Sequence, residues 1–170
     1  MRNSHLFLVG FMGSGKSTVA ALVAARSGRP CVELDAMIEA RAGRSISELF
    51  AKDGEKRFRE LEAEALASLD QAPPSIVATG GGAFVSAVNR QRMRRSGVTA
   101  WLDVSLEQAR RRVGREEGRP LWREADPVVF RAFFERRRAC YALADYRFST
   151  RKKPPKTVAI EVFDRFEGIF

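Results

Sequence analysis

The sequence predicts an α/β fold, one five-stranded parallel sheet with helices on both faces, and three observations predict it. Short apolar runs of buried-strand length recur along the chain, and stretches with helical spacing, punctuated by helix start and stop signals, separate them. The 170 residues suit one globular domain, here residues 1–170, long enough to bury most of its apolar surface in a core. Strands separated by helices imply parallel pairing, right-handed crossovers and a helix layer on each face.

In order, "HLFLVG" (5–10) reads as a buried strand, and the alanine-rich "STVAALVAARSG" (17–28) as a helix with a glycine stop. "CVEL" (31–34) is a second strand. Helical patterns follow in "DAMIEARAG" and in "SISELFAKDGEKRFRELEAEALASL", which opens with the capping-box spacing Ser45-x-x-Glu48. "SIVATGGG" (75–82) is a third strand running into glycines, "VTAWLDV" (98–104) a fourth, and "LEQARRRVGR" the helix after it. "DPVVFRAFFERRRACYALAD" (126–145) is helical with proline in its first turn, "YRFST" (146–150) a short fifth strand, and "PKTVAIEVFDRF" (155–166) a closing helix. There is no internal repeat.

Hydrophobic content of 45% with 30% charged residues fits a folded, soluble chain. The apolar run in "MRNSHLFLVG" is too short for a signal-peptide core or a membrane span, so the expectation is a cytoplasmic protein without membrane association. Cys31 and Cys140 have no metal-ligand spacing and are expected to be buried free thiols. The formal charge of +9 concentrates in "ARRRVGR" (109–115), "ERRRAC" (135–140) and "TRKKPPK" (150–156). It implies a polyanionic partner or substrates rich in phosphate and carboxylate, or else a solvated basic face. Sparse aromatic interleaving counts against a nucleic-acid partner.

Ligands of such sheets gather at the carboxyl ends of the strands. After the first strand, Gly10-x-x-x-x-Gly15-Lys16-Ser17 matches the phosphate-binding loop pattern between a strand and a helix. Backbone N–H groups across Gly13, Ser14, Gly15, Lys16, Ser17 and Thr18 can point at phosphate oxygens, Lys16 can reach the β and γ phosphates, and Ser17 can ligate magnesium. The ligand read from this loop is a nucleoside triphosphate. After the second strand, Glu33 and Asp35 share a direction if the strand persists, one carboxylate near magnesium and one near an acceptor hydroxyl; alternatively, Asp35 is a helix N-cap. After the third, Gly80, Gly81 and Gly82 allow close backbone approach to a ligand, or form a plain turn. "GREEGRPLW" (114–122) interrupts the helical pattern and reads as a mobile lid, about residues 112–124.

Taken together, "GFMGSGKST", "ELD" (33–35), "GRSISELFAKDGEKRFRELE" (43–62), "TGGGAF" (79–84), "GRPLW" (118–122) and "ERRRACY" (135–141) resemble the shikimate kinases, P-loop kinases of the nucleoside-monophosphate-kinase-like branch, in order and spacing. The resemblance implies transfer of the γ-phosphoryl group of ATP, with Mg2+, to the 3-hydroxyl of shikimate, in a monomer. It puts Asp35 at the acceptor hydroxyls, Arg59 and Arg137 on the substrate carboxylate, Gly81 and Gly82 against the substrate, Arg119 on the lid over the phosphates, and Arg112 and Lys153 on the adenine side. Lys16, Asp35 and Arg119 would then be catalytic, and Ser17 and Glu33 would hold the metal. Two positions depart from the family pattern: Glu33 stands where the family usually has Asp, and Ala139 where it has Pro. Two other readings remain, a sibling kinase for another small acid such as gluconate, and a kinase-like domain that senses an anionic ligand without turnover.

Overall fold

Alternation along the central strand organises the two cores. In a computed structural model, which describes residues 4–113 and 126–169, strand β1 (His5–Val9) is buried throughout. Its Phe7 and Val9 point into one apolar cluster and its Leu6 and Leu8 into another on the opposite face, the period of two that a doubly covered strand requires. Around it run β2 (Cys31–Glu33), β3 (Ile76–Ala78), β4 (Gly97–Asp103) and β5 (Tyr146–Ser149), all parallel, in the order β2-β3-β1-β4-β5. The sheet is the five-stranded parallel sheet expected.

On the Leu6/Leu8 face pack α1 (Lys16–Ser27), through Val19, Ala20, Val23 and Ala24, and the last long helix (Pro155–Phe166), through Val158, Ala159, Val162 and Phe166. The other face carries α2 (Leu34–Ala42), α3 (Ile46–Ser68), α4 (Ala87–Ser96), α5 (Leu106–Val113) and α6 (Pro127–Tyr141), which makes the last helix α7. The capping box forms: Ser45 Oγ accepts from the Glu48 amide, and the Glu48 carboxylate accepts from the Ser45 amide. The helix it opens is broken at Gly54 (φ 78°, ψ 176°), a conformation that glycine alone adopts cheaply. Helix α4 was not anticipated. Its "AVNRQRMRRS" buries only Asn89 and Met93, too little apolar periodicity to read.

Both thiols are free, but neither is buried as expected. Cys31 is exposed because β2 is an edge strand, and Cys140 is half-buried because Phe130, Phe134 and Tyr141 take the inward stripe of α6. Among the described residues no helix is long and apolar enough to cross a membrane. Arg119 and the rest of the expected lid beyond Val113 lie outside the described residues.

Candidate active site

The loop between β1 and α1 is built on left-handed glycines, Gly13 (φ 72°) and Gly15 (φ 93°). Gly10 also has positive φ (144°) and is confined by space as well: a Cβ there would stand 2.7 Å from the Leu102 carbonyl oxygen. Gly15 is the N-cap of α1 and supplies no side-chain cap, so the first amides of the helix face the loop. The Ser14 hydroxyl is buried, with no hydrogen-bond partner among the described residues. Lys16 Nζ donates to the carbonyls of Gly10 (3.0 Å) and Phe11 (3.1 Å), and Arg112 of α5 donates from Nη1 to the Gly13 carbonyl at 2.8 Å. This is a concave, donor-rich site suited to phosphate.

Beside it, β2 ends at Glu33 and α2 begins at Leu34. Glu33 and Asp35 therefore do not share a face by strand alternation. The turn into the helix sends the Leu34 side chain into the core and leaves both carboxylates on one cavity of about 160 Å³, together with Lys16, Ser17, Thr18 and Gly80. Nor is Asp35 the N-cap; that position falls on Glu33, and Asp35 lies in the first turn. Ser17 Oγ donates to Glu33 Oε2 at 3.0 Å. Burial pushes the Glu33 carboxyl up, the Ser17 bond opposes this, the nearby Asp35 charge adds to it, and Lys16 opposes it.

The glycine triplet after β3 meets a different side chain at each position. A Cβ on Gly80 would lie 2.6 Å from Asp35 Oδ1, one on Gly81 3.5 Å from Arg137 Nη1, and one on Gly82 2.7 Å from Arg59 Nη2. The glycines admit the protein's own functional groups as well as any ligand. Arg59 in turn is held by Glu62, whose carboxylate is fully buried and accepts Nη1 with both oxygens at 3.1 Å, and by Glu55, which accepts Nη2 at 3.1 Å. Asn89 of α4 donates to Glu62 at 3.5 Å. Burial raises the Glu62 carboxyl, and Arg59 partly offsets it. Arg137 lies over the Phe133 ring at 4.2 Å, with its pKa lowered chiefly by burial. Tyr141 donates its hydroxyl to the Gly81 carbonyl and is pushed up to about 12 by burial.

Of the residues singled out from sequence, the phosphate loop, Glu33, Asp35, Gly81, Gly82, Arg59, Arg112 and Arg137 converge on one region. Lys153 does not face it freely: its Nζ is held by Glu161 at 2.6 and 2.8 Å. Sequence reasoning missed Glu62, Asn89 and Tyr141. A glutamate inside an otherwise apolar helical stripe, Leu61-Glu62 followed by Ala65-Leu66, was the available signal for the first.

The shikimate kinase family model matches residues 12–167 of the chain. The chain belongs to the shikimate kinase family. A shikimate kinase of Moorella thermoacetica is 40% identical over 158 residues, 93% of this chain and 91% of that one. The solved shikimate kinase from Acinetobacter baumannii in complex with shikimate superposes with a TM-score of 0.89 at 30% identity, covering 98% of this chain and 94% of that chain. A gluconokinase from Sinorhizobium meliloti, at 18% identity and a TM-score of 0.59, shares the fold alone. The activity is accordingly that of a shikimate kinase, a phosphotransferase that uses ATP, and the sibling-kinase and sensor readings fall away.

Proposed function

We propose that the site transfers the γ-phosphoryl group of Mg2+-bound ATP to the 3-hydroxyl of shikimate, with the two substrates on opposite flanks of the phosphate loop. The observation that carries this reading is the Gly80–Gly82 turn, against which Asp35, Arg137 and Arg59 each pack beside the loop. In-line transfer puts acceptor and departing nucleotide on opposite sides of the phosphorus. With the acceptor groups gathered over β2 and β3, the nucleoside extends towards β4 and β5, where Arg112 already braces the loop.

Lys16 and the α1 amides hold the β and γ phosphates and stabilise charge as it develops on them. Asp35 accepts a hydrogen bond from the acceptor hydroxyl and fixes its line of attack; a loose transition state asks for orientation more than for early proton removal. Arg59 and Arg137 present planar forks to the substrate carboxylate, which a single ammonium could not match. Gly81 and Gly82 let the acceptor approach the backbone, and Arg119 keeps the phosphate-side role that the family resemblance gives it. Ser17 and Glu33 fit a magnesium ion, because a hydroxyl and a carboxylate already share a 3.0 Å contact on the cavity wall; the bound ion would neutralise phosphate charge. Glu33 is one methylene longer than the family's usual Asp and still reaches Ser17.

Lys153 belongs to the nucleoside flank in this reading, and the protein works as a cytoplasmic monomer. Light scattering should return one chain of 19.0 kDa. The deciding experiment measures ADP release with shikimate, with gluconate and with no acceptor. ADP release should depend on shikimate, with phosphate recovered on the 3-hydroxyl. Equal release with gluconate or without acceptor would overturn the assignment.

A further inference from the structure

Asp103 is a buried carboxylate that the proposed chemistry does not use. It is the last residue of β4 and 1% exposed, one residue beyond Leu102, whose carbonyl packs on Gly10 of the phosphate loop. Guanidinium groups from three places converge on it. Arg147 of β5 donates to Oδ2 from Nη2 at 2.6 Å and from Nε at 3.2 Å, Arg151 lies 3.5 Å from Oδ2, and Arg138 of α6 lies 3.7 Å from Oδ1. Its main-chain carbonyl accepts both the amide (3.0 Å) and the hydroxyl (3.2 Å) of Thr150.

Arg147 ties the edge strand itself to β4, but docking of that strand does not require the ties to Thr150 and Arg151. The β4–β5 ladder ends at the Asp103–Ser149 pair, whereas Thr150 and Arg151 lie beyond it, in the loop that leads to α7. That loop contains Lys152, which among the described residues is the non-glycine with a left-handed backbone (φ 53°). Such a conformation persists only where its surroundings over-determine it, and strain of this kind clusters at ligand clamps. Asp103 supplies the over-determination, gripping the chain before, at and after the strand end. Three guanidiniums against Asp103 and the Glu135 carboxylate that pairs with Arg138 also leave a local charge of +1 (3 − 2) at the carboxyl ends of the strands, a field that favours a polyanion.

We propose that Asp103 is a positioning residue for the nucleotide: it holds residues 150–153 in place along the nucleoside flank without touching ATP. The inference rests on the assignment of that flank above. Replacing Asp103 by Asn keeps the shape and removes the charge that faces Arg147 and Arg151, so the strained turn relaxes.

The test is steady-state kinetics on the full chain. Asp103→Asn should raise the KM for ATP about tenfold, while kcat and the KM for shikimate stay within about threefold. Thr150→Val, which removes a single tie and would fold even if Asp103→Asn did not, should raise the KM for ATP about threefold. Calorimetry with a non-hydrolysable ATP analogue on the same variants reads the inference without turnover, so a failed acceptor assignment and a failed loop assignment give different results. A lowered melting temperature with unchanged nucleotide affinity, or equal losses of ATP and shikimate affinity, would overturn the proposal.

Discussion

Replacing Gly82 with alanine adds one methyl group where the Arg59 guanidinium lies, and the two cannot share the space. The backbone at Gly82 (φ −97°, ψ −21°) admits any residue, so the substitution strains nothing locally. The added Cβ would stand 2.7 Å from Arg59 Nη2 and nearer still to Nη1, and ordinary contact begins near 3.4 Å, so the guanidinium must move by more than 3.4 − 2.7 = 0.7 Å. That movement disturbs the two 3.1 Å bonds from Nη1 to the buried Glu62 and shifts the fork proposed above to face the acceptor. Full loss of one partner of a desolvated charge pair costs about 2–5 kcal/mol. A displacement of this size should cost part of that, roughly 1–3 kcal/mol, or about five- to 150-fold. Steady-state kinetics should therefore show the KM for shikimate raised on the order of tenfold to a hundredfold, kcat lowered with it, and the KM for ATP within about twofold. The melting temperature should fall by only a few degrees, because a side-chain end yields more easily than backbone. An unchanged KM for shikimate in a folded Gly82→Ala protein would remove Arg59 from the acceptor site.

Gly80→Ala applies the same steric logic to Asp35, whose Oδ1 would lie 2.6 Å from the new Cβ; kcat should fall by about a hundredfold with a smaller change in either KM, and a KM-only effect would refute the orienting role. Glu33→Gln should raise the magnesium concentration needed for half-maximal rate, and Glu33→Asp should be near neutral. The same substitution tests the raised Glu33 pKa. A carboxyl whose folded pKa exceeds its unfolded value, about 4.3, favours the fold below that value and loses this contribution as pH rises through the folded pKa, so at neutral pH the ionised group is a cost. Glu33→Gln should thus melt higher than wild type at pH 7, and the gap should close as pH falls towards 4; a gap that widens on acidification would reverse the sign.

The sheet was readable because each strand is a short apolar run followed by a turn signal, and β1 declares both cores by alternation. What hid was set by tertiary context. Four arginines on α4 mask a helix that the fold needs chiefly for Asn89 and Met93. Glu62 and Asp103 look like surface charges in sequence, and only packing shows each to be buried against arginine. Glu33 and Asp35 were paired correctly for a reason that does not hold, since the strand stops between them and the turn into α2 brings them together. The glycine triplet was legible as a close approach, but not as the seat of three of the protein's own side chains. The family resemblance alone puts Lys153 on the adenine side, and its ion pair with Glu161, eight residues on, is invisible until α7 packs.

The central claim is that Arg59 and Arg137 hold the carboxylate of the acceptor. The most direct test compares shikimate with an analogue lacking that carboxylate, in wild type and in Arg137→Ala. Wild type should bind the analogue poorly. Arg137→Ala should lose roughly thirtyfold or more in affinity for shikimate, little further affinity for the analogue, and almost none for ATP. Equal losses for shikimate and the analogue would mean that this arginine supports the fold or the nucleotide, and would contradict the account.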